Sequence, residues 1–218
     1  MNTHTRTKAG LAALLTATAL ALTACGSDSK SGDDKEIDGA KKATQSASPG
    51  ASPPDDGIQR PKITFPGDVQ HVFEGRTTGD PKKDAVLADN ERNILAEDDA
   101  IIRGDAKSPA LKFYNQGEAL IGAFDWVQKY LDADLTFTGT IRYFDRRVTL
   151  VGDNKASLAY CGDESKAYNK NRKTKKVDKA APSADSYVLY NSRLVKNDKG
   201  VWQTTKLISK RGDRACQQ

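Results

Sequence analysis

Carboxyl and phenol side chains are the groups in this sequence that could move protons within a shared site. An acid-base isomerase needs a carboxylate base and a phenol or protonated acid that face one cavity. Asp98 and its neighbour Asp99 fall on the charged outer side of a predicted helix, so we expect both to face solvent and predict no catalytic residue. The candidate groups are Asp98, Asp125 and Asp145 among the acids, and Tyr114, Tyr130, Tyr143 and Tyr187 among the phenols.

Histidine and cysteine offer little for a metal centre or a nucleophilic site. Beyond the first 24 residues the chain has a single histidine, His71, and no Cys-x-x-Cys motif. Zinc sites need several nitrogen and sulfur ligands, so we predict neither a metal nor a cofactor. A Ser-His-Asp arrangement would have to use His71, which lies in an irregular segment, and we expect it to be a surface or packing residue.

The N-terminal residues predict an export signal. Arg6 and Lys8 form a short positive segment, and residues 9–21 are uncharged and mostly apolar. A membrane-spanning helix needs about 20 apolar residues, and this run is shorter. Its length and flanks are those of the apolar region of a signal peptide, so we predict that residues 1–24 are a signal peptide.

The end of this signal resembles the lipobox of bacterial lipoproteins. Leu22, Thr23 and Ala24, a branched apolar residue and two small ones, precede Cys25. The small residues suit a peptidase cleft, and the Cys25 thiol can carry a thioether-linked diacylglycerol. The resemblance implies lipidation of Cys25 and anchoring at the extracytoplasmic face of the cell membrane. The alternative is an ordinary signal peptide followed by a chance cysteine.

Residues 25–59 predict a lipidated cysteine followed by a disordered tether. The segment is mainly Gly, Ser, Asp, Lys, Ala and Pro, with Ile37 and Ile58 as its large apolar residues. Such a composition cannot bury enough surface to offset the entropy of ordering. The tether would hold a folded domain, residues 60–218, away from the bilayer. The net charge of +5, which includes two basic residues of the signal, is too mild to predict nucleic-acid binding.

The remaining cysteines predict a disulfide. With Cys25 lipidated, Cys161 and Cys216 form an even pair in an oxidising compartment. A reactive thiol or a metal ligand is the alternative, and the shortage of other nitrogen and sulfur ligands argues against it. A Cys161–Cys216 bond would tie the C-terminal end of the chain back to the rest of the domain.

Start and stop signals predict three helices in the first half of the domain. Asp80 is a good N-cap, and Pro81 suits the first helical position. Apolar residues then recur at helical spacing at Leu87, Ile94 and Ile101. The first helix ends at Gly104, a short second helix runs through Phe113 and Tyr114, and a third spans about 117–132.

The second half of the chain changes to the alternating period of strands. Thr, Arg and apolar residues alternate from Leu135, and the phase slips between Phe144 and Val148, which indicates a β-bulge or a bend. Residues 60–79 predict an irregular arm that packs on the body, with a short strand near 69–73. The main strands are predicted at 135–150, 156–161, 186–196 and 201–210, with a long polar loop at about 163–184.

Helices followed by an antiparallel meander indicate an α+β domain with the helices on one face of the sheet. Residues 118–140 and 187–205 resemble stretches of secreted actinobacterial lipoproteins of uncharacterised function, and the element order resembles the nuclear transport factor 2-like, cystatin-like cone fold. The resemblance covers about 60–218 and implies three N-terminal helices on a bent four-stranded antiparallel sheet. Such cones host isomerases, cyclases, dehydratases and non-catalytic binding modules, so the fold does not decide the chemistry.

Two sets of residues are candidate binding sites. Aromatic residues could line the mouth of the cone and hold an apolar ligand, although most aromatic residues in a domain are simply core. A basic cluster in the predicted loop could meet anionic wall polymers or lipid headgroups, the alternative being a solvated loop. The aromatic set is Tyr114, Phe124, Tyr130, Phe137, Tyr143 and Trp202, and the basic set is Lys170, Arg172, Lys173, Lys175 and Lys176.

These observations predict a membrane-anchored extracytoplasmic lipoprotein that binds an unknown small ligand or an envelope protein without catalysis. One alternative is an isomerase- or dehydratase-like enzyme that uses an aspartate in the cone. Another is a structural cell-envelope protein that binds anionic polymers through its basic loop.

Overall fold

A computed structural model of the protein describes residues 56–217. The predicted signal peptide, Cys25 and most of the predicted tether lie outside the described residues. None of the helices within residues 56–217 has the length and apolar character needed to cross a membrane. The elements are β1 (Val69–Phe73), α1 (Pro81–Arg103), α2 (Pro109–Tyr114), α3 (Gly117–Asp132), β2 (Leu135–Val151), β3 (Lys155–Asn171), β4 (Val177–Asp178), β5 (Tyr187–Lys196) and β6 (Trp202–Arg211).

All three helices lie where the sequence predicts them, and α1 shows why. The Asp80 side chain accepts hydrogen bonds from the backbone N–H groups of the first turn, and Pro81 occupies the first helical position. Gly104 ends the helix in the left-handed conformation, with φ of 76°. Leu87 and Ile101, on the predicted apolar stripe, are fully buried.

Within residues 56–217 the sheet has six strands, so the predicted count of four is wrong. Its order is β1-β2-β3-β5-β6, with the short β4 paired to β3, and β1 runs parallel to β2 while the other pairs are antiparallel. Strand β3 continues to Asn171, where a polar loop was predicted, because it pairs with β2 as far as Leu135. Backbone hydrogen bonds hold this half of β3, so its side chains need not show an apolar pattern.

Strand β2 bends at two places where its register against β3 shifts. The shift between Phe144 and Arg147 confirms the predicted bulge. The other lies just beyond Gly139, which has φ of 103°. A Cβ at Gly139 would lie 2.1 Å from the Lys166 carbonyl oxygen, so this close approach of β2 and β3 requires glycine.

The helices and the sheet meet in an apolar core that includes Leu87, Ile101, Val127 and Trp202. A smaller cluster next to α2 includes Tyr114 and Val201, and Ile58 packs against it. Ile58, in the predicted tether, therefore packs on the body of the domain. Ile58 lies among polar residues in the sequence, so no local pattern indicated this contact.

The disulfide between Cys161 and Cys216 is present, as predicted. It joins β3 to the short 3-10 turn Arg214–Cys216 at the end of β6. Both cysteines are buried beside Phe144, with Tyr187 and Leu189 packed around them. Because successive side chains of a strand point to opposite faces, Cys161 and the preceding Tyr160 lie on different faces of the sheet.

Candidate functional site

A cavity of about 810 Å³ lies between α1, α3 and the sheet. Alternate residues of β2, namely Phe137, Ile141 and Tyr143, line it, which is the spacing expected for one face of a strand. Tyr160 and Tyr190 line it from the paired strands β3 and β5. Pockets of this size accept drug-sized molecules.

Gly162 makes room for the aromatic part of the cavity. A Cβ at this position would lie 3.0 Å from Cε2 of Tyr190 and 3.6 Å from Cε1 of Tyr143. The rings of Tyr160 and Tyr190 stack with centroids 4.8 Å apart, and Tyr143 lies 6.1 Å from Tyr160. The three tyrosines therefore form one continuous aromatic wall.

Asp98 lies in the cavity wall and not in solvent, so the expectation for this residue is wrong. Its Oδ2 lies 2.7 Å from Nε2 of His71, and the two side chains are only 13% and 5% exposed. The reason is β1, which pairs with β2 and covers the side of α1 that was expected to be open. Asp99 is buried as well, and desolvation raises its pKa.

His71 is therefore a buried partner of a cavity carboxylate. The ring of Phe65 packs against it at 4.6 Å between centroids, so the imidazole is held in place from the arm. A histidine fixed in this way orients the Asp98 carboxylate toward the cavity. The sequence placed His71 in an irregular arm, where nothing indicated this pairing.

Glu97 is a cavity residue that the sequence analysis missed. Burial raises its pKa to about 8, and the adjacent Asp98 contributes in the same direction. Asn115 Nδ2 donates a long hydrogen bond of 3.5 Å to Glu97 Oε1. The signal was present in the spacing, because Glu97 follows Ile94 by three residues and precedes Ile101 by four, and so shares the buried stripe of α1.

Phenols and carboxylates lie close together in the cavity. Desolvation raises the pKa of Tyr130 to about 12, and Glu164 and Asp98 add to the effect. The pKa values of Tyr143 and Tyr190 are raised well above the ordinary value for the same reasons. These phenols therefore stay protonated at physiological pH and can donate hydrogen bonds to a bound molecule.

Half of the predicted aromatic set lines the cavity. Tyr130, Phe137 and Tyr143 do so. Tyr114 and Trp202 are instead 1% and 2% exposed, because Tyr114 packs in the smaller apolar cluster and Trp202 packs in the main core. Phe124 packs against the main core as well.

The remaining acid-base candidates do not form a second site. Asp125 lies at the cavity rim on α3, whereas Asp145 sits at the bulge of β2 and pairs with Arg147. Tyr187 packs beside the disulfide. Within residues 56–217, no group of three or more His, Cys, Asp or Glu side chains is arranged to hold a metal ion.

The predicted basic cluster lies at the β3–β4 turn, and two of its lysines form ion pairs with aspartates of the domain. Lys170 pairs with Asp68, and Lys173 pairs with Asp134, each at 2.7 Å. Arg172 donates to the backbone carbonyls of Leu135 and Ile102, so it fastens the turn to the body of the domain. Lys175 and Lys176 remain exposed at the turn.

The comparisons with known proteins are limited to similarity of shape. No family model and no curated protein matches the chain. It is similar to a ketosteroid isomerase-like protein from Erwinia carotovora atroseptica (17% identity, 56% of this chain and 92% of that chain, TM-score 0.36). It is also similar to a domain of unknown function with a cystatin-like fold from Nostoc punctiforme (17% identity, 62% of this chain and 79% of that chain, TM-score 0.37). A third similar structure is an NTF-2 like protein of unknown function from Shewanella oneidensis (14% identity, 56% of this chain and 95% of that chain, TM-score 0.34). These likenesses say nothing about the ligand or reaction of this chain.

Proposed function

We propose that the protein is a lipid-anchored extracytoplasmic binding protein whose cavity holds a small organic molecule. The observation that carries this proposal is the cavity of about 810 Å³, which combines aromatic walls with a convergent group of carboxylates and phenols. Small-molecule sites have this composition, a mostly apolar lining with a few polar groups that fix orientation. A cone filled by its own side chains would have argued against any ligand.

Filling the mouth of the cavity tests the binding proposal. Gly122 of α3 lines the cavity, and a Cβ there would meet nothing within 4 Å. Gly122→Leu is expected to weaken binding of the neutral fluorescent probe N-phenyl-1-naphthylamine by about tenfold, because the leucine side chain would occupy space at the mouth that the probe would otherwise fill. The same change should not destabilise the fold, since glycine is the poorer helix residue.

The matched control for this experiment is Gln128→Leu, which places the same side chain on an exposed position of α3 that is not part of the cavity lining. Titration of the full-length protein, followed by probe fluorescence, gives the affinity. Equal affinities of the Gly122→Leu and Gln128→Leu variants for the probe would show that the probe does not bind in this cavity. A wild-type protein that does not bind the probe would count against the proposed function.

The anchor is tested at Cys25. The lipobox resemblance supports lipidation there, so Cys25→Ala is expected to abolish labelling by radioactive palmitate and to release the protein from the membrane fraction. Ser27→Ala, two residues further on, should leave both labelling and fractionation unchanged. A Cys25→Ala protein that still takes up the label and stays with the membrane would show that the anchor is elsewhere.

An acid-base enzyme is the second candidate, and the Asp98–His71 pair favours it. The 2.7 Å contact orients a carboxylate into the cavity, and protonated phenols near it could stabilise charge on a bound molecule. Glu97, with a pKa of about 8, adds a group that changes charge near physiological pH. This candidate differs from the first in one respect, because it requires chemical turnover of the bound molecule.

A further inference from the structure

The cavity carries an excess of negative charge. Of the described residues that line it, seven are acidic and two, Lys129 and Arg211, are basic. Arg211 pairs with Glu164, whose Oε2 lies 2.7 Å from its Nη1, so these two charges offset each other. Glu118 pairs with Lys206, and Glu97 is mostly protonated below its pKa of about 8, so the excess of charge comes from Asp98, Asp125, Asp178 and Asp185. The acidic residues are Glu97, Asp98, Glu118, Asp125, Glu164, Asp178 and Asp185.

This charge is distributed from the rim to the floor of the cavity. Asp125 is exposed at the mouth on α3, and Lys129 is exposed on the same helix. Asp98 is at the floor, where its charge acts on the phenols of Tyr130, Tyr143 and Tyr190. An anionic ligand would meet the Asp98 carboxylate there. Within residues 56–217, the basic residues of the lining are Lys129, which is exposed on α3, and Arg211, which is paired with Glu164.

The Tyr143 hydroxyl is an independent sign of a missing ligand group. The side chain is 6% exposed and lines the cavity, yet within residues 56–217 nothing forms a hydrogen bond with its hydroxyl. Because the hydroxyl opens on the cavity, a molecule bound there can be its hydrogen-bond partner. A phenol oxygen can accept a hydrogen bond from an N–H group, and so can the Asp98 carboxylate.

Aromatic rings line the walls of the same cavity. Phe137 and Tyr130 lie with centroids 6.5 Å apart, and Trp126 packs edge-on against Tyr130 at 5.2 Å at the cavity rim. Aromatic faces attract cations, and the attraction grows where water is excluded. Carboxylates and aromatic rings around one enclosed space are the two features that bind organic ammonium groups.

We infer that the cavity selects an organic ammonium ion, a positively charged amine on an apolar body, over neutral and anionic molecules of similar shape. This inference rests on the proposed binding function. The ammonium group would lie at the floor beside Asp98 and Tyr143, and the apolar body would lie against the aromatic wall toward the α3 rim.

Three probes that share one apolar body and differ only in their head group test which charge the cavity prefers. Calorimetric titration of the full-length protein at pH 7 with 4-phenylbutylamine, 4-phenylbutanol and 4-phenylbutyrate compares a cation, a neutral alcohol and an anion. We expect the amine to bind about tenfold tighter than the alcohol, and the carboxylate to bind weakest. In the Asp98→Asn variant the ratio of amine to alcohol affinity should fall toward one, while Asp198→Asn, at an exposed turn, should keep the wild-type ratio.

The outcomes distinguish this inference from the function on which it rests. Equal affinities for amine and alcohol, or tightest binding of the carboxylate, would overturn the ammonium inference and leave small-molecule binding intact. Binding of N-phenyl-1-naphthylamine without binding of the amine would do the same. Failure of every probe to bind would overturn both. The comparison of head groups on the unaltered protein decides the question even if Asp98→Asn does not fold.

Discussion

Removal of the disulfide is expected to lower the free energy of unfolding by roughly 4 kcal/mol, since a crosslink over such a span restricts the unfolded chain by about that amount. The bond joins Cys161 and Cys216, which are 55 residues apart in the sequence. The test is urea unfolding of the Cys161→Ala/Cys216→Ala double variant against the wild type. Because Arg211 of the cavity precedes the C-terminal cysteine by a few residues, loosening this end should also weaken probe binding.

Reduction provides the control for this prediction. A thiol reductant should bring the wild type close to the stability of the double variant and should leave the double variant unchanged. A loss below about 1 kcal/mol in the double variant would mean that the C-terminal turn stays packed on Phe144 without the bond.

Replacement of Glu97 by glutamine is expected to raise the free energy of unfolding at pH 9 by roughly 3 kcal/mol. The folded-state pKa of Glu97 is about 8, against an ordinary value of 4.5. Its contribution to stability is therefore fully present below about pH 4.5 and is lost as the pH rises through about 8. Glutamine stays neutral, so Glu97→Gln should match the wild type near pH 4.5 and exceed it progressively at higher pH. The expected gain is smaller than the whole pKa difference implies, because the cavity admits water to the carboxyl group.

Urea unfolding at pH 5, 7 and 9 measures the Glu97 effect. The neighbours that face this carboxyl are Asp98 on α1, Asn93 and Asn115, which hydrogen-bond it, and Tyr160 on β3. The matched control is Glu118→Gln, whose carboxylate is exposed and pairs with Lys206, and it should change stability by less than about 0.5 kcal/mol. A stability difference between Glu97→Gln and wild type that does not change with pH would show that Glu97 ionises normally.

The loss of folding stability caused by Glu97 indicates a functional role for this residue. An acid that destabilises the folded protein at neutral pH and above is usually retained for a ligand or a reaction. A positively charged ligand near Glu97 and Asp98 would lower the pKa of Glu97 and recover part of this cost on binding. The stability measurement and the head-group comparison therefore examine the same site by independent routes.

The helices could be predicted from the sequence because their signals are local. Asp80 and Pro81 define the start of α1, Gly104 defines its end, and each acts through the backbone within one turn. The bulge of β2 was also predictable, since the change of phase between Phe144 and Val148 is a pattern within one strand. The disulfide followed from the number of cysteines left after Cys25.

The length of β3 could not be predicted in the same way. Residues 163–171 are polar because one side of the strand faces the water-accessible cavity and its edge, and only pairing with β2 makes them a strand. The parallel pairing of β1 with β2 is likewise a contact across some 70 residues of sequence. No periodicity within the arm indicates it.

The sequence alone determined the positions of the three helices, the bend of the first long strand and the pair of cysteines, because each depends on neighbours along the chain. Only the tertiary structure decided which polar residues meet. It brought His71 of the arm to Asp98 of α1, surrounded Glu97 with groups that raise its pKa, and opened a cavity beside Tyr143. The pKa of a carboxyl group and the partner of a histidine depend on what packs around them in space, and that arrangement is fixed by contacts between residues far apart in the chain.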